Sequence, residues 1–376
     1  MKYLASRRLF LAAVLALPAL FDVAAAAEPT AIPFTTLPGK PLRWYDAKNL
    51  DLEGQGWTEV KSFFDRLPAK AEGVVREPVW NLSQSSAGHC VHFVADTPSI
   101  DVHWKLRKPS LAMPHMAATG VSGVDLYGRA ADGTWRWIGC GRPSDIDNRA
   151  RIAGELPPGS REYRLYLPLY NGVDVVEIGL PETAKIARTT VDLKKKPVVF
   201  YGTSIMQGAC ASRPGMAQSS IIGRRLERPI INLGFSGNGK MEIEMAQLLA
   251  ELDPAVYVLD CLPNVDASET KVRTAPLVRE LRKAHPETPI ILVEDRSYAD
   301  SYWTPSRKDR NESSRRAYKL QYEKLLSEGV TGLTYVEGNQ LLREDGEDTV
   351  DGSHPTDLGF MRYADILTPI IQKVLK

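Results

Sequence analysis

Cysteine is scarce in this chain, with four in 376 residues. Cys90, Cys140, Cys210 and Cys261 are too few for a disulfide-stapled scaffold, and a chain this long buries enough surface to need no staples. We read them as small buried apolar residues; an oxidising compartment leaves the pairs 90–140 and 210–261 as the alternative. Excess charge is also missing. A formal balance of +1 gives no electrostatic footprint for a nucleic-acid partner. Long apolar runs are confined to residues 9–21, which are too short to span a bilayer comfortably, so no stable membrane insertion is expected. Metal-ligand spacing is absent as well. His89 and His92 stand three apart, which places them on opposite faces of a strand, and no Asp, Glu or Cys cluster completes a set. Neither a metal nor a cofactor is expected.

The rest of the composition is ordinary, with 43% apolar and 25% charged residues, as in a globular protein large enough for two domains. Residues 1–27 read as an export signal. Lys2, Arg7 and Arg8 precede the apolar run, and Ala24 to Ala27 offer a small-residue cleavage site. Ser6-Arg7-Arg8-Leu9-Phe10-Leu11 is similar to the twin-arginine export motif, with Ala12 where lysine is usual; the general secretion route stays open beside it. The expected location is periplasmic or secreted. Removing the signal takes away three basic residues and Asp22, which moves the formal charge from +1 to −1.

The remainder divides near Lys194-Lys195-Lys196-Pro197 into segments 28–195 and 196–376. In the first, short runs rich in Val, Ile, Trp and Tyr alternate with polar residues between Gly, Pro, Asn and Asp. Ser99 to Trp104, Trp135 to Ile138, Tyr163 to Leu167 and Val173 to Ile178 are examples. No long helix is apparent, so an all-β sandwich of jelly-roll type is expected. In the second, apolar runs at 198–201, 230–233, 256–259, 290–293 and 333–336 alternate with helical stretches near 216–226, 240–251, 269–284, 311–327 and 357–375. Continuous apolar strands imply a sheet covered on both faces. The pattern predicts a flavodoxin-like three-layer α/β/α domain, whose site lies beyond the carboxyl ends of the strands.

Two stretches carry chemistry. In Asp351-Gly352-Ser353-His354-Pro355 an acid three residues before a histidine can reach the ring and fix its tautomer. Far upstream, Ser204 follows the first apolar strand on a strand-to-helix turn. A serine, a histidine and an acid are the parts of a nucleophilic hydrolase.

The second segment resembles the SGNH (GDSL-type) hydrolases. Its four blocks are Gly202-Thr203-Ser204, Asn232 through Asn238, Cys261-Leu262-Pro263-Asn264-Val265, and Asp351 through Pro355, in that order over residues 196–376. The resemblance implies Ser204 as nucleophile, His354 as base and Asp351 as its orienting acid. It further implies an oxyanion hole of the Ser204 N–H, the Gly237 N–H and the Asn264 side-chain amide. Two departures stand out: Gly202-Thr203-Ser204-Ile205 replaces Gly-Asp-Ser-Leu, and Leu262-Pro263-Asn264-Val265 replaces Gly-x-Asn-Asp, which makes Asn264 the least securely matched residue. In the first segment, Gly123-Val124-Asp125-Leu126-Tyr127 resembles the Gly-x-Asp-Leu-Tyr domain found ahead of some bacterial SGNH modules. The architecture is also similar to certain two-domain carbohydrate esterases.

Other residues have plainer readings. Pro114-His115-Met116 is read as a structural loop, with a cover over the pocket as the alternative. Six of seven tryptophans precede residue 138 and are read as core rather than sugar platforms. Arg213 is either a pocket-wall residue or a solvated charge. Glu294-Asp295-Arg296 is read as an internal ion pair, and His285 as a surface residue. The expected function is an exported serine esterase for small acyl groups, O-acetyl above all, on a small-molecule or polysaccharide ester. The alternatives are a lysophospholipase, thioesterase or arylesterase of the same superfamily, or a non-catalytic carbohydrate-binding protein.

Overall fold

The computed structural model of the chain describes residues 31–38, 41–189 and 192–375; the export signal expected at residues 1–27 falls outside them. Its first half runs β1 (Thr35–Thr36), β2 (Leu42–Asp46), β3 (Asp51–Glu53), α1 (Glu77–Ser83), β4 (Cys90–Asp96), β5 (Ile100–Leu106), α2 (Ala118–Val121), β6 (Val124–Arg129), β7 (Trp135–Gly141), β8 (Asp147–Ala153), β9 (Arg161–Tyr166), β10 (Val173–Pro181) and β11 (Lys185–Ala187). These strands form two antiparallel sheets, ordered β1-β2-β10-β5-β8 and β11-β4-β9-β6-β7, with β3 on β4. Alternation explains the pairing. Val102 and Trp104 of one sheet and Phe93, Leu126 and Leu165 of the other project into one shared core, as period-two strands require. The sandwich expected from the sequence is thus present.

The second half contains β12 (Val198–Gly202), α3 (Ser204–Gln207), α4 (Gln218–Leu226), β13 (Ile230–Gly234), α5 (Ile243–Leu249), β14 (Val256–Asp260), α6 (Ala267–Ala284), β15 (Ile290–Val293), α7 (Pro305–Ser327), β16 (Leu333–Val336) and α8 (Asp357–Val374). All five strands are parallel, in the order β13-β12-β14-β15-β16. Val199, Tyr201, Tyr257 and Leu259 pack against α5, α6 and α7. Their neighbours Val198, Phe200 and Val258 face α4 and α8. Each strand therefore buries both faces, which is why it reads as an unbroken apolar run. Helix α6 starts at Asp266, whose carboxylate caps Ser268 and Glu269 while Glu269 reaches back, a capping box. Helix α7 begins six residues before the expected 311. Its first turns, Pro305 to Arg310, carry no apolar period, and only the proline at the opening position marks the start.

Two findings differ from the sequence reading. Helix α1 was not expected; it is only seven residues long, too short for its period to stand out. It also crosses the expected boundary. Leu67, Ala71, Val75, Val79 and Trp80 join the core on one face of the parallel sheet, while Met116, Val121 and Leu169 join the core on the other. Burying each such large apolar side chain contributes about 1.5–3 kcal/mol, so the halves are fastened by packing. All four cysteines are free, so the alternative pairs do not form. Two strands separate β4 from β7, placing Cys90 and Cys140 about 14 Å apart at ordinary strand spacing, and Cys210 and Cys261 belong to cores on opposite faces of the parallel sheet. Among the described residues no helix is long and apolar enough to cross a membrane.

Candidate active site

The strand order reverses at β12, and that is where an open parallel sheet leaves a crevice beyond its carboxyl ends. Ser204 stands there, two residues past the end of β12, with Thr203 capping the short α3 through its side chain. The Ser204 Oγ lies 2.9 Å from His354 Nε2, and Asp351 Oδ2 lies 2.7 Å from His354 Nδ1. Asp351 Oδ1 accepts the backbone N–H groups of Ser353, at 3.0 Å, and His354, at 2.8 Å. A carboxylate on Nδ1 places the ring proton there and leaves Nε2 as acceptor for the serine hydroxyl. Partial burial alone raises the Asp351 carboxyl; the His354 N–H, the imidazole and the Ser353 N–H overcome it and hold the group below the ordinary carboxylate range.

The loop that carries this pair is pinned on several sides. Val350 N–H donates to His354 O at 3.0 Å, and Cys210 N–H to Pro355 O at 2.8 Å. Arg296, buried at the end of β15, pairs with Asp295 and donates to Ser353 O at 3.0 Å and to the Ser353 hydroxyl. The ion pair expected at Glu294-Asp295-Arg296 exists, and it braces the turn that carries Asp351 and His354.

The remaining blocks close on Ser204. Phe235 N–H donates to Gly202 O at 3.0 Å. A Cβ on Gly239 would lie 1.8 Å from that same carbonyl, so only glycine permits the approach. Gly237 has φ +68° and open space where a Cβ would sit. Among the described residues no acceptor takes the N–H of Ser204 or of Gly237. Asn264 follows β14 on a 3-10 turn, against the 235–239 loop. With its amide set by the neighbouring donors, Oδ1 accepts from Asn238 N–H at 3.0 Å and Gly239 N–H at 3.2 Å. That orientation leaves the Nδ2 branch to donate. Such donors can stabilise an alkoxide that develops beside the serine.

The first half supports this end of the sheet. The Tyr170 hydroxyl donates to Ser204 O at 3.2 Å. Arg66 is buried with no carboxylate partner among the described residues and donates to the carbonyls of Leu82, Ser85, Asn232 and Gly234. Burial lowers its pKa to about 9, so it stays charged at neutral pH. Asp125, the acid of Gly-x-Asp-Leu-Tyr, is fully buried and accepts from Arg213 at 2.7 Å, Gly215 N–H at 2.8 Å and Trp137 at 2.8 Å. Arg213 is therefore neither a solvated charge nor a bare pocket wall; it ties the segment after Ser204 to the sandwich. Residue signals for Tyr170 and Arg66 are missing from the sequence because their partners are carbonyl groups distant along the chain.

The 114–116 loop does reach the site. The His115 and His354 rings lie 5.5 Å apart between centroids. His92 pairs with Glu53 at 2.7 Å. His89 is buried, and desolvation with Arg66 and Arg107 nearby pushes its pKa down to about 3, so it is neutral. His285 is half-buried against Ala250 O rather than on the surface. Of the early tryptophans, Trp44, Trp80 and Trp104 are core, while Trp137 is half-exposed beneath Arg213.

The GDSL-like lipase/acylhydrolase family model matches residues 195–372. The model for the GxDLY N-terminus of SGNH-hydrolase-type esterases matches residues 42–186. No curated protein matches the chain. Among solved structures, a Bacteroides ovatus protein assigned as a GDSL-like lipase is 34% identical, with TM-score 0.85 over 89% of this chain and 98% of its own. The salicylyl-acyltransferase SsfX3 of a tetracycline biosynthetic pathway is 18% identical, with TM-score 0.70 over 91% and 97%. A family two carbohydrate esterase from Clostridium thermocellum is 15% identical, with TM-score 0.57 over 77% and 93%. The last two are likenesses of fold.

Behind the site, Asp260 at the end of β14 is fully buried and accepts from Tyr363 at 2.7 Å. Burial raises its carboxyl to about 7 against the pull of Tyr363 and Arg296. An unfolded aspartate titrates near ~3.9, so the native state holds this proton longer. Its contribution to stability is complete below about pH 4 and is lost as pH rises through about 7. Asp260→Asn should flatten this slope: urea midpoints at about pH 5 and about pH 8 should differ less in the variant than in the native chain.

Proposed function

The chain belongs to the GDSL-like lipase/acylhydrolase family, and on that premise we propose that it is a serine esterase that removes small acyl groups, O-acetyl above all, through an acyl-enzyme. The observation that carries the mechanism is the continuous Ser204–His354–Asp351 hydrogen-bond chain. Ser204 Oγ attacks the ester carbonyl while His354 Nε2 takes its proton. The Asp351 carboxylate offsets the charge of the imidazolium. The oxyanion is held by the N–H groups of Ser204 and Gly237 and by the Asn264 amide. His354 then returns its proton to the leaving alcohol, and water releases the acyl group by the same steps in reverse order.

A carbohydrate alcohol is the reading we favour. Tyr302 and Trp303 are 83% and 81% exposed, with rings 4.8 Å apart and nearly perpendicular. They sit on a loop that touches the catalytic turn, where Ala299 N–H donates to Gly352 O at 3.0 Å. A cavity of about 540 Å³ beside them is lined also by Lys308, Arg343, Glu344 and Asp345. Aromatic faces with charged hydrogen-bonding groups at the rim suit a sugar ring. The carbohydrate esterase fold of the Clostridium thermocellum neighbour agrees with this. The seventh tryptophan, and not the six before it, is the candidate platform. Export to the periplasm or beyond, expected from residues 1–27, would bring the enzyme to such substrates.

Ser204→Ala should abolish turnover of p-nitrophenyl acetate and acetylated oligosaccharides, and labelling by a fluorophosphonate probe, with the fold intact by circular dichroism. Retained turnover refutes the assignment. Asn264→Ala should lower kcat by roughly a hundred- to a thousandfold; a twofold loss removes it from the oxyanion hole. Trp303→Ala should lower the preference for acetylated oligosaccharide over p-nitrophenyl acetate, as a kcat/KM ratio, by about 3–10-fold. Preference for long acyl chains overturns the sugar reading and favours a lysophospholipase or thioesterase.

A further inference from the structure

Beyond the esterase reading, we infer that His115, Asp351 and His354 form a site for a divalent transition-metal cation of the Zn2+ class, and that occupying it silences the enzyme. Among the described residues these three offer one ligand atom each, all within 4.8 Å of one another. A tetrahedral zinc with bonds near 2.0–2.1 Å needs its ligand atoms about 3.3 Å apart, a closure that side-chain rotation supplies. The donor set is two imidazoles and one carboxylate. It suits Zn2+ and its neighbours and not Mg2+ or Ca2+, which prefer oxygen ligands. Three protein ligands leave one position for water.

The site is assembled from both halves of the chain. Asp351 and His354 come from the loop before α8, and His115 comes from the sandwich. The backbone around His115 is held in place. Met113 and Met116 exchange both backbone hydrogen bonds, at 3.0 and 3.1 Å, Met116 is buried in the core below the sheet, and Thr119 Oγ1 donates to Ser212 O at 2.6 Å. The His115 side chain is half-buried and makes no hydrogen bond among the described residues, so its ring is free to turn toward a cation. The hydrolytic steps proposed above need nothing from it.

Silencing follows from the ligands used. A cation on the Asp351 carboxylate and the His354 imidazole breaks their 2.7 Å hydrogen bond and removes the acceptor that orders the ring. Its charge also opposes formation of an imidazolium. The proton on Ser204 then has nowhere to go. Because binding must displace that hydrogen bond, the affinity is weaker than at a dedicated structural zinc site, and the inhibition is reversible.

The test uses the full chain, stripped of metal. This inference rests on the esterase reading only for its rate measurement, so binding is measured separately, by calorimetric titration of Zn2+ into the Ser204→Ala protein. One site per chain is expected. It should weaken by about ten- to a hundredfold when His115→Ala or His115→Gln is added. In the native chain, Zn2+ should inhibit p-nitrophenyl acetate hydrolysis, EDTA should restore it, and either His115 variant should need at least tenfold more Zn2+. No calorimetric site, equal affinity in the His115 variants, or equal inhibition by Mg2+ overturns the inference. Absence of turnover in the metal-free native chain counts against the esterase reading instead, and leaves the calorimetric result standing.

Discussion

The hydrogen bond between Asp351 and His354 is the interaction on which the site depends. It closes within a four-residue turn, so its geometry is local, and the same carboxylate also accepts two backbone N–H groups of that turn. One side chain thus shapes the loop and sets the tautomer. What is not local is the position of the turn. Arg296 from the end of β15, Gly352 against the 299–300 segment, and Pro355 against Cys210 hold it at the mouth of the crevice. Ser204 is fixed by a different device, the tight strand–turn–helix passage from Gly202 through Ser204.

Much of this was legible in the residues. All five parallel strands fell where the apolar runs lie, because strands buried on both faces announce themselves by composition. The antiparallel strands were readable from alternation. Ser204, His354 and Asp351 lie in one hydrogen-bond chain, and Asn264 lies against the loop that carries Gly237 despite its altered surroundings. The hidden site contacts share one physical cause: they depend on side chains whose partners are backbone atoms or rings far along the chain. Arg66 carries no motif, and its place at the site comes only from four carbonyl partners distant along the chain or across a loop. His115 reads as a loop residue until its ring is found 5.5 Å from His354. Helix α1 is too brief to show a period, and the opening of α7 is too polar.

The sandwich is more than an appended module. Its Gly-x-Asp-Leu-Tyr acid, Asp125, holds Arg213 and Gly215 in the segment after Ser204. Tyr170 touches the Ser204 carbonyl. Residues of both halves therefore meet around Ser204 and His354, and their placement follows from how the two are fastened.

That fastening limits how the protein can change over time. The segment with Leu67, Val75, Val79 and Trp80 lies on the parallel sheet as a core component, although by chain order it belongs to the sandwich. A fragment cut at residue 196 would lose Leu67, Ala71, Val75, Val79 and Trp80 from the core they share with Tyr201, Leu233 and Leu259, and the apolar surface so opened would favour self-association. The two halves are best inherited as a couple, because a hydrolase half moved into another gene without its companion would arrive with part of its core missing.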